Sequence, residues 1–349
     1  MHPSEIGLKT KASVLKEAKA IATHYLGREV ASVTECALQG VFSRTIDVAM
    51  KDGTKYVVQL RSESVHEENA QQAHDILGNL VPVPIRVVRE GSPVPYSYIM
   101  PRIPGLTYYT ATNRTLWPDE NHVKLAGQIG DMIGKCCGHR RNTECDVIDT
   151  LIVPRLQLYM NWDEPKVAPF KELIGSLLER VDDLRRLPTC WTHWDINSVN
   201  IMVTDDGNVS GILDWEEAYW MPFGMNACRL SDLAAYNRRG VLTKKPYSDD
   251  METAFWKSLF QAAPKAVRAY LEEIQLAMDI GLIITTFFDA SSPPHPAHVS
   301  TLNDSMTWYR VPLDLSILVS PVPLELLIYS VQNLDNDHYP PHVLQKLPT

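Results

Sequence analysis

The chain has 349 residues, 45% of them apolar and 21% charged, a balance ordinary for a globular protein with a sizeable core and a length that suits two domains. With 33 basic against 42 acidic residues the formal net charge is −9, which argues against a nucleic-acid backbone as partner. The strongest apolar run, residues 280–288, is far too short to cross a bilayer, which argues against a membrane protein.

Residues 1–5 (Met-His-Pro-Ser-Glu) have neither the basic start nor the apolar core of a secretory signal. Residues 11–26 carry Val14, Ala18, Ile21 and Tyr25 at three- and four-residue spacing, which predicts a helix. Residues 37–48 then read as strand, Gly40 turn, strand, followed by a turn at 51–54 and a third strand at 55–60. Gln59 and Arg61 fall on one face of that strand. No GxxxxGK[ST] follows any strand, which disfavours a P-loop enzyme. Residues 67–80 predict a helix that opens with Glu67 and Glu68 and ends before the Val81-Pro82-Val83-Pro84 break. Residues 96–105 predict a strand that leaves through Pro104-Gly105 into the second half of the chain.

That second half reads as largely helical. Val123, Ala126, Ile129, Met132 and Ile133 make an apolar stripe in a helix over 122–139, where His139 reads as structural. A second amphipathic helix covers 170–187 and stops before Pro188. Further helices are predicted over 248–261, 264–281, 312–319 and 323–332, with a Pro-rich loop at 290–296. The cysteines (Cys36, Cys136, Cys137, Cys145, Cys190, Cys228) match no zinc spacing, and reduced thiols in a cytoplasmic protein are the expectation.

The densest signal lies at residues 192–200, Thr-His-Trp-Asp-Ile-Asn-Ser-Val-Asn, followed by Asp214. Ile201-Met202-Val203 and residues 209–213 are strand-like. The intervening Thr-Asp-Asp-Gly-Asn is rich in turn formers, so a hairpin centred near Gly207 is predicted. Asn200 and Asp214 are equidistant from Gly207, and residues so placed sit side by side in an antiparallel pair. Two oxygen-bearing side chains at the open end of a hairpin, with Asp195 on the loop leading in, suit Mg²⁺ held together with substrate phosphates.

His193-x-Asp195-x-x-x-x-Asn200 and the Gly211-Ile212-Leu213-Asp214-Trp215-Glu216 run resemble the aminoglycoside phosphotransferase family of small-molecule kinases, with its choline-kinase-like relatives. Trp215 after the acid separates the chain from protein kinases, which have Phe-Gly there. The wording of this run and of Pro222-Phe223-Gly224-Met225-Asn226 is most similar to fungal members, and the resemblance runs from about residue 30 to about residue 235. It implies an α+β, protein kinase-like fold, with a small mostly-β nucleotide lobe over 1–103 and a larger mostly-α lobe over 104–349. It implies ATP and Mg²⁺ as cofactors and a small-molecule hydroxyl as acceptor. Asp195 would accept the hydroxyl proton, and Asn200 and Asp214 would hold the metal. His193 would brace the loop. Gly40, Phe42 and Ser43 match the tip of the hairpin over the nucleotide phosphates, and Met100 and Ile103 lie in the segment that faces the adenine.

The third strand departs from the pattern: Gln59 stands at the place of the phosphate-binding Lys, and Arg61 lies two residues on. Either one takes that role, with Glu68 (or Glu67) as the partner acid on the following helix. This departure and the single-Gly loop leave a second reading open, a non-catalytic kinase-like nucleotide-binding module. Asp249, Asp250 and Glu252 suit a cationic acceptor but equally suit a helix start, so no acceptor site is assigned.

Overall fold

The computed structural model describes residues 6–8, 10–40, 42–114, 117–138, 147–163, 165, 167–238, 241–286 and 311. Helix α1 (Lys11–Leu26) starts at a reciprocal cap between Thr10 and Ser13 and ends at Gly27 in the left-handed conformation. Its buried stripe is Val14, Ala18, Ile21 and Ala22, whereas Tyr25 is exposed. That stripe packs on one face of an antiparallel sheet of β1 (Val30–Glu35), β2 (Ser43–Met50), β3 (Lys55–Arg61), β4 (Ile85–Arg86) and β5 (Tyr96–Pro101), in the order β1-β2-β3-β5-β4. Ile46, Val48, Val58, Leu60 and Ile99 supply the sheet's side of this core.

The first strand lies earlier than residues 37–48 suggest. The side chain of Gln39 explains why. Its Nε2 donates to the carbonyls of Cys36 (2.8 Å) and Thr45 (2.9 Å), and its Oε1 accepts from Thr45 N–H at 2.9 Å. One amide side chain thus takes the N–H of Thr45 and shares its carbonyl with the N–H of Cys36 (3.0 Å), and the chain between β1 and β2 leaves the ladder as a loop.

Helix α2 (Glu67–Leu77) follows β3 and ends at Gly78, so it is shorter than 67–80. After β5 the chain passes through β6 (Leu106–Thr107), α3 (Tyr108–Arg114) and α4 (Asp119–Lys135). Helices α5 (Val153–Asn161) and α6 (Lys171–Arg180) come next, and a 3-10 turn over Val181–Arg186 replaces the rest of the helix predicted to 187. Then come β7 (Thr189–Thr192), β8 (Ile201–Val203), β9 (Val209–Ile212) and β10 (Tyr219–Pro222), with β7 paired to β10 and β6-β8-β9 forming a small sheet. Beyond them lie α7 (Leu230–Ala234), the hairpin β11 (Ala235–Arg238) and β12 (Val241–Lys244), α8 (Ser248–Ala262) and α9 (Leu271–Thr286). The helix predicted over 264–281 is a 3-10 turn over Lys265–Ala269 followed by α9.

Helices α4 and α8 pack closely because α4 presents glycines to its partner. A Cβ on Gly130 would stand 2.2 Å from the carbonyl oxygen of Phe255, and one on Gly134 would stand 2.5 Å from that of Leu259. Cys36, Cys136, Cys137, Cys190 and Cys228 are free thiols. Burial raises those of Cys136 and Cys137 to about 12, which leaves them inert. His139, Cys145, the loop at 290–296 and the helices expected at 312–319 and 323–332 lie outside the described residues.

Candidate active site

The loop between β7 and β8 presents Asp195 as an exposed carboxylate between buried neighbours, Trp194 and Ile196. Its Oδ1 accepts from Asn197 Nδ2 (2.8 Å) and its Oδ2 from Asn200 Nδ2 (3.0 Å). Asn200 Nδ2 also reaches the carbonyl of Asp195 at 2.9 Å, so this amide both closes the loop and orients its acid. With the nitrogen so engaged, the Oδ1 of Asn200 is left for another partner.

The hairpin around Gly207 forms as predicted, but its register differs. The turn centres on Asp206, with Val203 opposite Val209, and a bulge between Met202 and Val203 recovers only part of the offset, so that Met202 pairs with Gly211 and Ile201 with Ile212. Leu213, not Asp214, therefore stands opposite Asn200, and Leu213 N–H donates to the Asn200 carbonyl at 2.8 Å. Asp214 follows immediately with φ 66°, the sole non-glycine at positive φ among the described residues. That left-handed step is one Asp tolerates better than most residues, and it turns the carboxylate out of the strand's alternation. Asp214 is exposed and has no hydrogen-bond or ion-pair partner among the described residues. Protein crowded around the rest of it raises its carboxyl above the ordinary range, Asp195 adding to the rise while His193 and Arg61 oppose it.

His193 braces both sides. It is 1% exposed. Its Nδ1 accepts from the N–H of Asp195 at 3.0 Å and its Nε2–H donates to the carbonyl of Leu213 at 2.7 Å, which defines a neutral ring. Burial pushes its pKa below the ordinary value. Trp215 packs edge-on to this imidazole at 4.7 Å and donates its Nε1–H to Ile212 O.

On the large sheet, register brings four of the sequence-predicted positions together. Ser43 pairs with Arg61, and Gln59 pairs with both Thr45 and Tyr98. Met100 pairs with Val57, so Ser43, Gln59, Arg61 and Met100 share the face opposite α1. Ser43 is buried at the start of β2 rather than at an exposed tip, and its Oγ lies 3.2 Å from Thr45 Oγ1. Gly40 and Phe42 stand in the braced loop before it, with Phe42 67% exposed. Ile103 follows β5, and its side chain lies where a Cβ on Gly211 would intrude at 2.8 Å.

The expected acid partner is wrong. Glu68 points to solvent, 74% exposed along its side chain, and accepts from its neighbour His66. Glu67 lies beside it at the start of the same helix and makes no ion pair with Arg61. The carboxylate that meets Arg61 is Glu216, in a two-pronged pair at 2.5 and 2.8 Å. Helix α2 does reach this segment, through Asn69 Nδ2 to the Glu216 carbonyl at 2.7 Å. Burial and the charge of Asp214 push Glu216 up to about 7 against the pull of Arg61.

Two more supports escaped the sequence reading. Arg229 donates from Nε (3.0 Å) and Nη2 to the carbonyl of Trp194, just before Asp195, and pairs with Asp232. The amide of Asn226, in its satisfied orientation, donates to His193 O at 2.6 Å and accepts from His193 N at 3.2 Å. Arg229 has no local signal beyond its place after the hairpin, whereas Asn226 closes the Pro222–Asn226 run that resembles the family.

The model of the phosphotransferase enzyme family matches residues 38–238. The chain belongs to this family. Among solved structures it is similar to the Plasmodium vivax ethanolamine kinase, at 15% identity over 89% of this chain and 92% of that one, with a TM-score of 0.55. It is likewise similar to the choline kinase of Cryptosporidium parvum, at 12% identity over 92% and 98% of the two chains, with a TM-score of 0.52. No curated protein matches the chain in sequence. These likenesses show an α+β, kinase-like fold for this phosphotransferase.

The donor set of the phosphotransferase also bears on the metal. No group of three His, Cys, Asp or Glu side chains suited to a metal ion occurs among the described residues. One carboxylate and one amide oxygen, Asp214 and Asn200, fit an ion that completes its shell with phosphates and water, as Mg²⁺ does, and not a dedicated protein cage. No helix among the described residues is long and apolar enough to cross a membrane.

Proposed function

We propose that the protein is an ATP- and Mg²⁺-dependent kinase that transfers the γ-phosphoryl group to a hydroxyl of a small molecule in the cytoplasm. The observation that carries this reading is the presentation of Asp195. Its carboxylate is exposed and aimed by two amide donors, and the unpartnered Asp214 follows the residue paired with Asn200. Residues 1–103 would serve as the nucleotide lobe and 104–349 as the catalytic and acceptor-binding lobe.

In this reading Asp195 accepts the proton of the acceptor hydroxyl while the acceptor oxygen bonds to the γ-phosphorus and the bond to the bridging oxygen of ADP breaks. Asn200 Oδ1 and the Asp214 carboxylate would hold Mg²⁺, which when bound offsets the charge on the phosphate oxygens. His193, Asn226 and Arg229 hold the loop so that little reorganisation accompanies the transfer. Arg61 supplies the cation of β3 and Gln59 an uncharged contact beside it. Gly40, Phe42 and Ser43 cover the phosphates, and Met100 and Ile103 flank the base.

The test is binding of ATP to the full chain with and without Mg²⁺, followed by ATP consumption with a panel of hydroxyl-bearing metabolites. Tighter binding with Mg²⁺, and turnover abolished by Asp195→Ala and Asp214→Ala, is the expected result. Absence of Mg²⁺-dependent nucleotide binding overturns it. Mg²⁺-dependent binding without turnover of any acceptor, and without slow ATP hydrolysis, selects the non-catalytic module instead.

A further inference from the structure

In the kinase pattern an acid on the helix after the third strand holds the phosphate-binding cation. Here that helix offers no acid to the sheet, because Glu68 faces solvent. The cation of β3 is nevertheless held, by a segment 155 residues further along the chain. Arg61 is 7% exposed, and both of its terminal nitrogens engage both oxygens of Glu216, two residues after Asp214. A guanidinium and a carboxylate meeting fork to fork fix orientation as well as distance.

We propose that Glu216 is the positioning acid for Arg61, taking over from helix α2 and joining the phosphate-binding strand directly to the segment that carries the metal-binding acid. The inference rests on the kinase reading above and names a residue that acts through another.

Three features support it. First, the pair is largely withdrawn from solvent, where two charges are costly to bury unless their geometry is good. A bridge kept for stability alone could be replaced by apolar side chains of similar size. Second, Arg61 Nε is buried with no hydrogen-bond partner. A buried unpaired donor calls for an explanation, and a phosphate oxygen of the nucleotide would supply the missing acceptor. Third, Asn69 of α2 holds the Glu216 backbone carbonyl at 2.7 Å, so the helix fixes this acid's backbone instead of contributing its own carboxylate. Direct metal binding by Glu216 is disfavoured by the same geometry: both of its oxygens already accept from Arg61, whereas those of Asp214 are free.

The experiment compares the full-length wild type with Glu216→Gln, Glu216→Asp, Arg61→Gln and the double variant Arg61→Gln/Glu216→Gln. Affinity for Mg²⁺ with a non-hydrolysable ATP analogue is read by calorimetry, and KM and kcat where an acceptor is known. Glu216→Gln should weaken nucleotide binding by about tenfold, the scale of a lost charge-assisted contact. KM for ATP should rise more than kcat falls, and Glu216→Asp should restore part of the affinity. The double variant should bind no worse than Arg61→Gln alone, because Glu216 acts through Arg61. Glu68→Gln should leave affinity unchanged.

If Glu216→Gln binds as tightly as wild type, or if the two losses add, the proposal is overturned while the kinase reading stands. If the wild type shows no Mg²⁺-dependent binding, both fall. Should Glu216→Gln fail to fold, the wild type decides: the Arg61 Nε–H resonance, assigned through Arg61→Lys, must shift when the analogue saturates the site. No shift overturns the proposal.

Discussion

The Nε2–H of His193 donates to the carbonyl oxygen of Leu213 at 2.7 Å, which ties the loop that carries Asp195 to the strand that leads into Asp214. The other ring nitrogen accepts from the backbone of Asp195 itself. One neutral imidazole thus fixes the approach to both acids.

Replacing His193 with Phe keeps a ring against Trp215 but leaves a buried carbonyl and an N–H without partners. A loss of about 1–3 kcal/mol follows, readable in urea unfolding, together with a fall in kcat. Because burial holds His193 below its ordinary pKa, the pH–rate profile of the wild type should lack a histidine limb near its ordinary value. A limb there that disappears in His193→Phe would make the residue a base and not a brace.

Asp214 combines a special backbone with a special charge, and the two can be separated. Asn also tolerates positive φ, so Asp214→Asn should melt close to wild type while losing Mg²⁺-dependent nucleotide binding. Asp214→Val should lose that binding and also unfold more easily, because a β-branched residue resists the left-handed conformation by about 1–3 kcal/mol. Equal melting of the two variants would show that the φ of 66° carries no cost.

Gly105 has φ 93°, and a Cβ there would stand 2.0 Å from the carbonyl oxygen of Val203. Leu106 pairs with Val203 in the β6-β8 ladder, so relief would require moving the hairpin that follows Asn200 away from the exit of the sheet. Gly105→Ala is expected to cost about 2–4 kcal/mol and to lower kcat. A thermal melt and a turnover assay check it, and an unchanged melting temperature would contradict the close approach.

His122 is the group whose burial should be visible in stability against pH. Its Nδ1 meets the hydroxyl of Tyr108 at 2.5 Å and its ring stacks on Tyr247 at 4.5 Å. Lys245, whose ammonium donates to the same Tyr108 oxygen at 3.1 Å, adds a like charge. Burial first, and Lys245 second, lower His122 from 6.5 to about 4. Between those values the unfolded chain binds the proton and the folded chain does not, so stability is full above pH 6.5 and falls as pH drops towards 4. The loss attributable to this residue is about 3 kcal/mol. Denaturation curves across that window should be steeper in pH for wild type than for His122→Gln; parallel dependence would refute the assignment.

Much of the candidate catalytic segment is legible in the chain because its determinants are local. The turn formers at 204–208 and their apolar flanks specify a hairpin, and the spacing of His193, Asp195 and Asn200 fits within one loop. Helix α1 is equally legible, since its cap and stripe lie within the helix itself. The misplaced first strand shows where this stops: the Gln39 side chain competes with backbone pairing, and strand propensity carries no information about that. The register of the hairpin is of the same kind, because counting from Gly207 presumes a turn centred there and an unbroken ladder, whereas Val203 pairs with Val209 and a bulge follows.

By itself, the sequence determined helix α1, the hairpin after Asn200, the loop with Asp195 and Asn200, and the two candidate cations on β3, since all of these follow from short-range spacing and turn chemistry. Tertiary structure alone decided which acid meets Arg61. Glu68 is close in the chain and lies on the next helix, yet it turns to solvent. Glu216 is 155 residues away and makes the pair. The reason is that a charged side chain takes its partner from the face its strand presents to the rest of the protein, and which segment docks there is settled by the packing of the whole molecule.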